Sequence, residues 1–86
     1  STIQGNVRWH PDGTFICYVN NNSITVCDVR HGDTFGKVRI LTPPSEESPT
    51  NLAWSHDGET IGYNRSVENP ATGEKTKQIF LLEFKE

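Results

Sequence analysis

Short stretches of alternating apolar and polar residues run along most of the 86-residue chain, separated by residues that favour turns. A period of two is typical of β-strands, because successive side chains of a strand point to opposite faces of a sheet. The pattern predicts an all-β protein with seven strands, over residues 6–9, 14–19, 23–29, 37–41, 50–54, 60–67 and 77–84.

One ten-residue stretch occurs twice, 45 positions apart: WHPDGTFICY over 9–18 and WSHDGETIGY over 54–63. Each copy combines a Trp, an Asp-Gly turn and a strand in which Ile and Tyr share one face. The interposed Cys17 and Gly62 are small, which suits a sheet that another sheet approaches closely. The predicted structural motif consists of Trp9, Asp12, Gly13, Tyr18, Trp54, Asp57, Gly58 and Tyr63.

A repeat of this length with strand-turn-strand content favours the blades of a β-propeller. We expect a single propeller segment over 1–86, with a four-stranded first blade over 1–44 and a three-stranded second blade over 45–86. The third strands are ten residues further apart than the motifs. The second blade is therefore expected to carry a protruding hairpin over 68–75.

The repeated motif resembles the WD40-like (PD40) repeat of TolB-type β-propellers, whose pattern is Trp-Ser-Pro-Asp-Gly followed by an apolar strand. The first copy has His10 in place of Ser, and the second has His56 in place of Pro. The resemblance implies a propeller blade and a periplasmic or extracellular location. It leaves the function open, because such blades occur in scaffolds, transport accessories, peptidases and lyases.

Two blades do not close a ring, because propellers use about 4–8 blades and each blade needs a neighbour on both faces. The third strand of the second blade would also be an open edge. We expect the missing blades to come either from a longer polypeptide or from further copies in a cyclic homo-oligomer of three or four chains.

Composition narrows the classes of partner. The net charge of −3 supplies no basic surface for nucleic acid or anionic membranes. No apolar run approaches the ~20 residues of a membrane span. Cys17 and Cys27 are expected one register apart on neighbouring strands, pointing to opposite faces, so we predict free thiols.

No residue pattern indicates catalysis, a cofactor or a metal. His10, His31 and His56 all fall in predicted turns, where we expect solvated side chains rather than the convergent ligands of a metal site. No Gly-x-Ser-x-Gly elbow is present, and both cysteines lie within strands, where a nucleophile is poorly exposed.

We therefore predict a non-catalytic module for protein interaction or scaffolding. Two alternatives stay open: the propeller portion of a prolyl-oligopeptidase-type peptidase or carbohydrate lyase, and a sugar-binding oligomeric propeller. Besides further blades, a protein partner is the expected ligand, because recognition concentrates in loops on rigid scaffolds. The candidate partner-binding residues lie in and beside the predicted hairpin: Glu68, Asn69, Glu74, Lys75 and Lys77.

Overall fold

A computed structural model describes residues 3–44 and 47–85. These residues form seven strands and no helix. The strands are β1 (Ile3–Trp9), β2 (Phe15–Asn20), β3 (Ser23–Asp28), β4 (Val38–Ile40), β5 (Thr50–Trp54), β6 (Thr60–Glu68) and β7 (Lys75–Glu83). The prediction of an all-β chain is confirmed. The predicted blade boundary at 44/45 and the two chain ends lie partly outside the described residues, so the structure does not test these bounds.

The first sheet contains four antiparallel strands in the order β1-β2-β3-β4. Its central hairpin turns through Asn21 and Asn22, which have φ values of 52° and 59°. Two consecutive residues with positive φ match the twist of the flanking strands, and Asn tolerates this conformation. β1 is longer than predicted, because a bulge around Gly5 lets the chain pair with β2 before residue 6.

The second sheet contains three antiparallel strands in the order β5-β6-β7. Its long hairpin pairs Thr60 with Glu83 at one end and Glu68 with Lys75 at the other. The second repeat is longer than the first because its extra residues lengthen β6 and β7. Only residues 69–74 form the connecting turn.

The core lies between the two sheets, where β5 packs against β1 and β2. The first sheet contributes alternate residues of its two central strands, and the second contributes the face that carries Ile61 and Tyr63. The buried members are Phe15, Cys17, Val19, Ile24, Val26, Leu52, Ile61, Tyr63 and Phe84. We call the opposite sides of the two sheets the first outward face and the second outward face.

The two Trp turns have the same pattern of backbone hydrogen bonds. In the first copy, the His10 N–H donates to the Phe15 carbonyl at 2.8 Å, and in the second the Ser55 N–H donates to the Thr60 carbonyl at 2.7 Å. These donors and acceptors are 45 positions apart, like the motifs. The sequence repeat is therefore also a repeat of backbone structure.

The cysteines occupy the predicted positions. Cys17 pairs with Val26 and Cys27 with Ile16, so the two thiols are one register apart on opposite faces, and both are free. Burial raises the pKa of the Cys17 thiol to about 11, and the nearby Arg8 charge opposes this only in part. Cys17 therefore acts as a small apolar core residue.

One ion pair closes the end of β3. The Arg30 guanidinium donates to Asp28 with a shortest distance of 2.7 Å, and it also covers the Phe15 ring at 4.7 Å from the centroid. Hydrogen bonds from the Arg30 side chain hold the pKa of the Asp28 carboxyl well below its usual range, outweighing the opposing effect of desolvation.

This shift predicts the acid response. Because the folded-state pKa of Asp28 is depressed, its stabilising contribution is complete above the unfolded pKa of about 3.9 and is lost as the pH falls below that value. We expect Asp28→Asn to lower the urea midpoint at neutral pH and to flatten its decline in acid. Asp33→Asn, in the exposed turn that follows, is the control. Equal acid profiles for Asp28→Asn and the unsubstituted chain would contradict this assignment.

A second prediction concerns the core. Ile61 is fully buried between the sheets, whereas Ile3 is exposed. We expect Ile61→Ala to lower the free energy of unfolding by about 2–5 kcal/mol. The matched change Ile3→Ala should stay within about 0.5 kcal/mol. Urea denaturation followed by Trp fluorescence measures both, and similar losses for the two variants would show that the core is misplaced.

Candidate interaction surfaces

Trp54 fills the seam between the sheets. Its indole N–H donates to the Arg8 carbonyl across the seam at 3.1 Å. Its ring meets the rings of His10 and Phe84 edge-on, at centroid distances of 4.8 and 5.2 Å. Trp54 therefore packs between the sheets with its indole N–H bonded to the backbone.

His10 does not follow the prediction of a solvated turn residue. Its side chain is buried in the seam with 5% exposure, while His31 and His56 are exposed as expected. The Nδ1 atom accepts from the Asp12 N–H at 3.1 Å, and Nε2 lies 3.2 Å from the Gly58 carbonyl. Both contacts are satisfied by a neutral ring that carries its proton on Nε2. His10 is thus a packing residue between the two motifs.

Gly58 is the partner that makes room for His10. Its φ of +75° is the left-handed region that Gly adopts without a Cβ clash. A Cβ at this position would lie 2.1 Å from His10 Nε2. Gly13, the matching residue of the first motif, has φ of +72° but nothing within 4 Å of a Cβ.

The motif carboxylates lie beside these turns. Asp57 accepts hydrogen bonds from the Ser55 hydroxyl at 2.6 Å and from the Glu59 N–H at 3.0 Å. Both bonds lower the pKa of the Asp57 carboxyl, and the bond from the Ser55 hydroxyl has the larger effect. Asp12 is exposed and lines a cleft with Asp57 near the open end of the seam. The bonds of Asp57 brace its own turn, which is a structural role.

The first outward face exposes several large apolar side chains. Trp9 is 64% exposed, and Val38 and Ile40 of β4 are 56% and 67% exposed. Tyr18 is buried at the centre of this face, beside an open cleft of about 400 Å³ that Val38 and Ile40 also line. Desolvation raises the pKa of Tyr18. Trp9 thus lies on an exposed face, whereas Trp54 packs in the seam between the sheets.

The second outward face carries Ile79 and Leu81 of β7, each 76% exposed. Leu81 pairs with Gly62 of β6, and its side chain lies 3.7 Å from the position a Gly62 Cβ would take. Small and branched apolar residues thus form a second, smaller apolar patch on the far side of the molecule.

The predicted partner-binding residues gather at the hairpin tip. Within the turn, Asn69 accepts from the Ala71 N–H at 2.9 Å, and its own N–H donates to the Glu74 carbonyl at 2.7 Å. Lys75 pairs with the Glu47 carboxylate at 2.5 Å, which ties the tip to the segment before β5. Glu68 lies across from Lys75 in the hairpin.

Lys77 lies two pairs further along the hairpin than the Glu68–Lys75 pair, opposite Ser66. The structure thus places all five residues on one exposed hairpin, and their role in binding stays a prediction.

Two arginines at the seam were not identified from the sequence. The Arg8 Nε donates to the Leu52 carbonyl at 3.2 Å. Arg39 lies over the Phe84 ring at 5.1 Å and donates to the Lys85 carbonyl at 2.5 Å. Both contacts join residues more than 40 positions apart, so no local pattern could have indicated them.

In residues 3–44 and 47–85, no group of three or more His, Cys, Asp or Glu side chains is placed to hold a metal ion. No helix in this part of the chain has the length and apolar character to cross a membrane.

Comparisons of the chain with protein-family models, with curated proteins and with solved structures gave no match. The likeness to TolB-type propellers therefore depends on the two motifs themselves.

The His10 contact gives a matched test on two glycines. Gly13→Ala and Gly58→Ala both place a Cβ at positive φ, but only the second forces a clash with a buried ring. We expect Gly58→Ala to destabilise the fold by about 1–3 kcal/mol more than Gly13→Ala.

Adding His10→Ala to Gly58→Ala should cost less than the sum of the two single changes, because the clash is removed. Chemical denaturation of the four variants measures this coupling. Equal effects at the two glycines would mean that the His10 ring does not occupy this space.

Proposed function

We propose that the chain is a pair of β-propeller-type blades that acts as a non-catalytic interaction or scaffolding module. One observation carries this proposal: each sheet presents the same two kinds of face, and among the described residues only one face of each sheet packs against the other sheet. The seam between the two sheets is then one instance of a contact that can repeat.

The first kind of face is covered on the second sheet. There Trp54, Ile61 and Tyr63 point into the seam. Their counterparts 45 positions earlier are Trp9, Ile16 and Tyr18, which all point outward on the first sheet. The first outward face therefore repeats the Trp-Ile-Tyr set that the seam buries on the second sheet. On the adjacent strand it has Thr25 and Cys27 where the second sheet has Phe80 and Leu82, and β4 adds Val38 and Ile40.

The second kind of face is covered on the first sheet. The central pair of this face, Cys17 and Val26, is buried against the second sheet. The corresponding pair of the second sheet is Gly62 and Leu81, and Leu81 is 76% exposed. Ile79 likewise corresponds to the buried Ile24.

The molecule therefore ends in two different apolar faces, each complementary in type to the other. Contacts of this head-to-tail kind close into rings when the rotation between units permits, and ring closure leaves neither face in water. Further blades, from a longer polypeptide or from further copies, would satisfy both faces. A ring of this type would leave the hairpin tip free to meet a protein partner.

Association in solution tests the proposal. We expect concentrated protein to form assemblies of three or four chains, corresponding to rings of six or eight sheets. Ile40→Glu, a charge at an exposed site of the first outward face, should abolish this association without loss of β-structure. Phe35→Glu, at an exposed aromatic residue in a turn, is the control.

Light scattering coupled to size exclusion reports the mass, and far-UV circular dichroism reports the fold. A monomer at every concentration that unfolds as one cooperative unit would contradict the proposal, and so would assemblies of three or four chains that persist in Ile40→Glu.

A further inference from the structure

Among the described residues, no strand pairs with the outer edge of β7. This strand is the outer one of the second sheet, it contains nine residues, and it pairs on one side with β6. An edge strand presents a row of unpaired backbone donors and acceptors, which forms a template for another strand.

The hairpin hydrogen bonds show which backbone groups point to the open side. At one end the Phe84 N–H donates to the Glu59 carbonyl, and at the other the Glu74 carbonyl accepts from the Asn69 N–H. Even-numbered residues of β7 thus face β6, and the backbone groups of odd-numbered residues point away from it.

The first sheet shows the corresponding edge in its occupied form. On β3, the Ile24 carbonyl accepts from the Leu41 N–H at 2.8 Å, and the Asp28 N–H donates to the Lys37 carbonyl at 2.9 Å. The strand β4 therefore covers on β3 the kind of edge that β7 leaves open in the second sheet.

We propose that the open edge of β7 is a self-association site, at which β7 of a second copy pairs antiparallel with Lys77 opposite Glu83 and Ile79 opposite Leu81. All four residues are odd-numbered and exposed, so their backbone groups and side chains are both available. Two-fold symmetry produces each of these pairs twice.

Charge and shape complementarity select this register. Directly opposite residues on one face of an antiparallel pair interact most strongly, favourably for opposite charges and unfavourably for like charges. A shift of two residues in one direction sets Lys77 opposite Leu81, and a shift in the other direction sets Lys77 opposite Lys85. Only the proposed register, of these three, matches both the apolar and the charged residues.

Existing ion pairs do not prevent this arrangement. Glu83 lies 3.3 Å from Lys85, and both side chains are more than 70% exposed, so the pair is weak and exchangeable. Lys75 falls opposite Lys85 of the second copy, beyond the end of the strand, and Glu47 already neutralises Lys75. Lysine on an edge normally deters strand pairing, but here Lys77 meets a carboxylate.

Charge reversal tests the register. In chains that carry Ile40→Glu, so that stacking through the first outward face does not contribute, we compare Lys77→Glu, Glu83→Lys and the double reversal. Each single change puts two pairs of like charges together and should weaken dimerisation at least about tenfold. The double reversal should restore the dimer.

An equimolar mixture of the two single variants is the decisive sample. In a heterodimer of Lys77→Glu with Glu83→Lys, both cross-strand pairs are again of opposite charge, so the mixture should dimerise where neither variant does alone. Lys37→Glu, at an exposed residue just before β4, is the matched control and should dimerise like the parent.

Sedimentation equilibrium at low salt measures the association, and circular dichroism confirms that each variant is folded. The inference is overturned if the parent stays monomeric at its solubility limit, if either single variant dimerises like the parent, or if the mixture associates no better than its components.

Discussion

The structure depends on the contact between two β-sheets that each have two apolar faces. Three or four strands are stable only when a face is covered, and each sheet of this chain covers one face of the other. Apolar side chains fill the interior of the seam. At its end the Trp54 ring meets the rings of His10 and Phe84 edge-on, and the rings of His10 and Phe84 are tilted against each other. The two outward faces are the parts of the sheets that this contact leaves exposed.

Cations at the rim of the seam explain how a chain that is only 33% hydrophobic maintains this core. Arg30 covers Phe15 and Arg39 covers Phe84, so aliphatic stems and guanidinium planes shield aromatic rings that would otherwise meet water. Arg30 also binds Asp28, and Arg39 and Arg8 each bond a backbone carbonyl across the molecule. The rim residues therefore extend the small core.

Local patterns predicted the parts of the structure that local physics decides. Alternation placed the strands, the Asp-Gly pairs placed the turns, and strand register placed the two cysteines on opposite faces. The burial of His10 could not be predicted in this way, because it depends on the absence of a side chain at Gly58, 48 positions later. The exposure of Trp9 escaped prediction for the same reason, since its identical counterpart Trp54 is covered only by a non-local neighbour.

The two motifs differ at the position that His10 occupies, where the second has Ser55. In a ring of the kind proposed, the joint between successive chains would set Ser55 against Gly13, and a small hydroxyl would stand where the joint within a chain has an aromatic ring. This sequence difference would make the two joints unequal in strength. Such an assembly would separate first at its chain boundaries, releasing intact two-sheet units that can recombine, and exchange of whole subunits would be its natural mode of turnover.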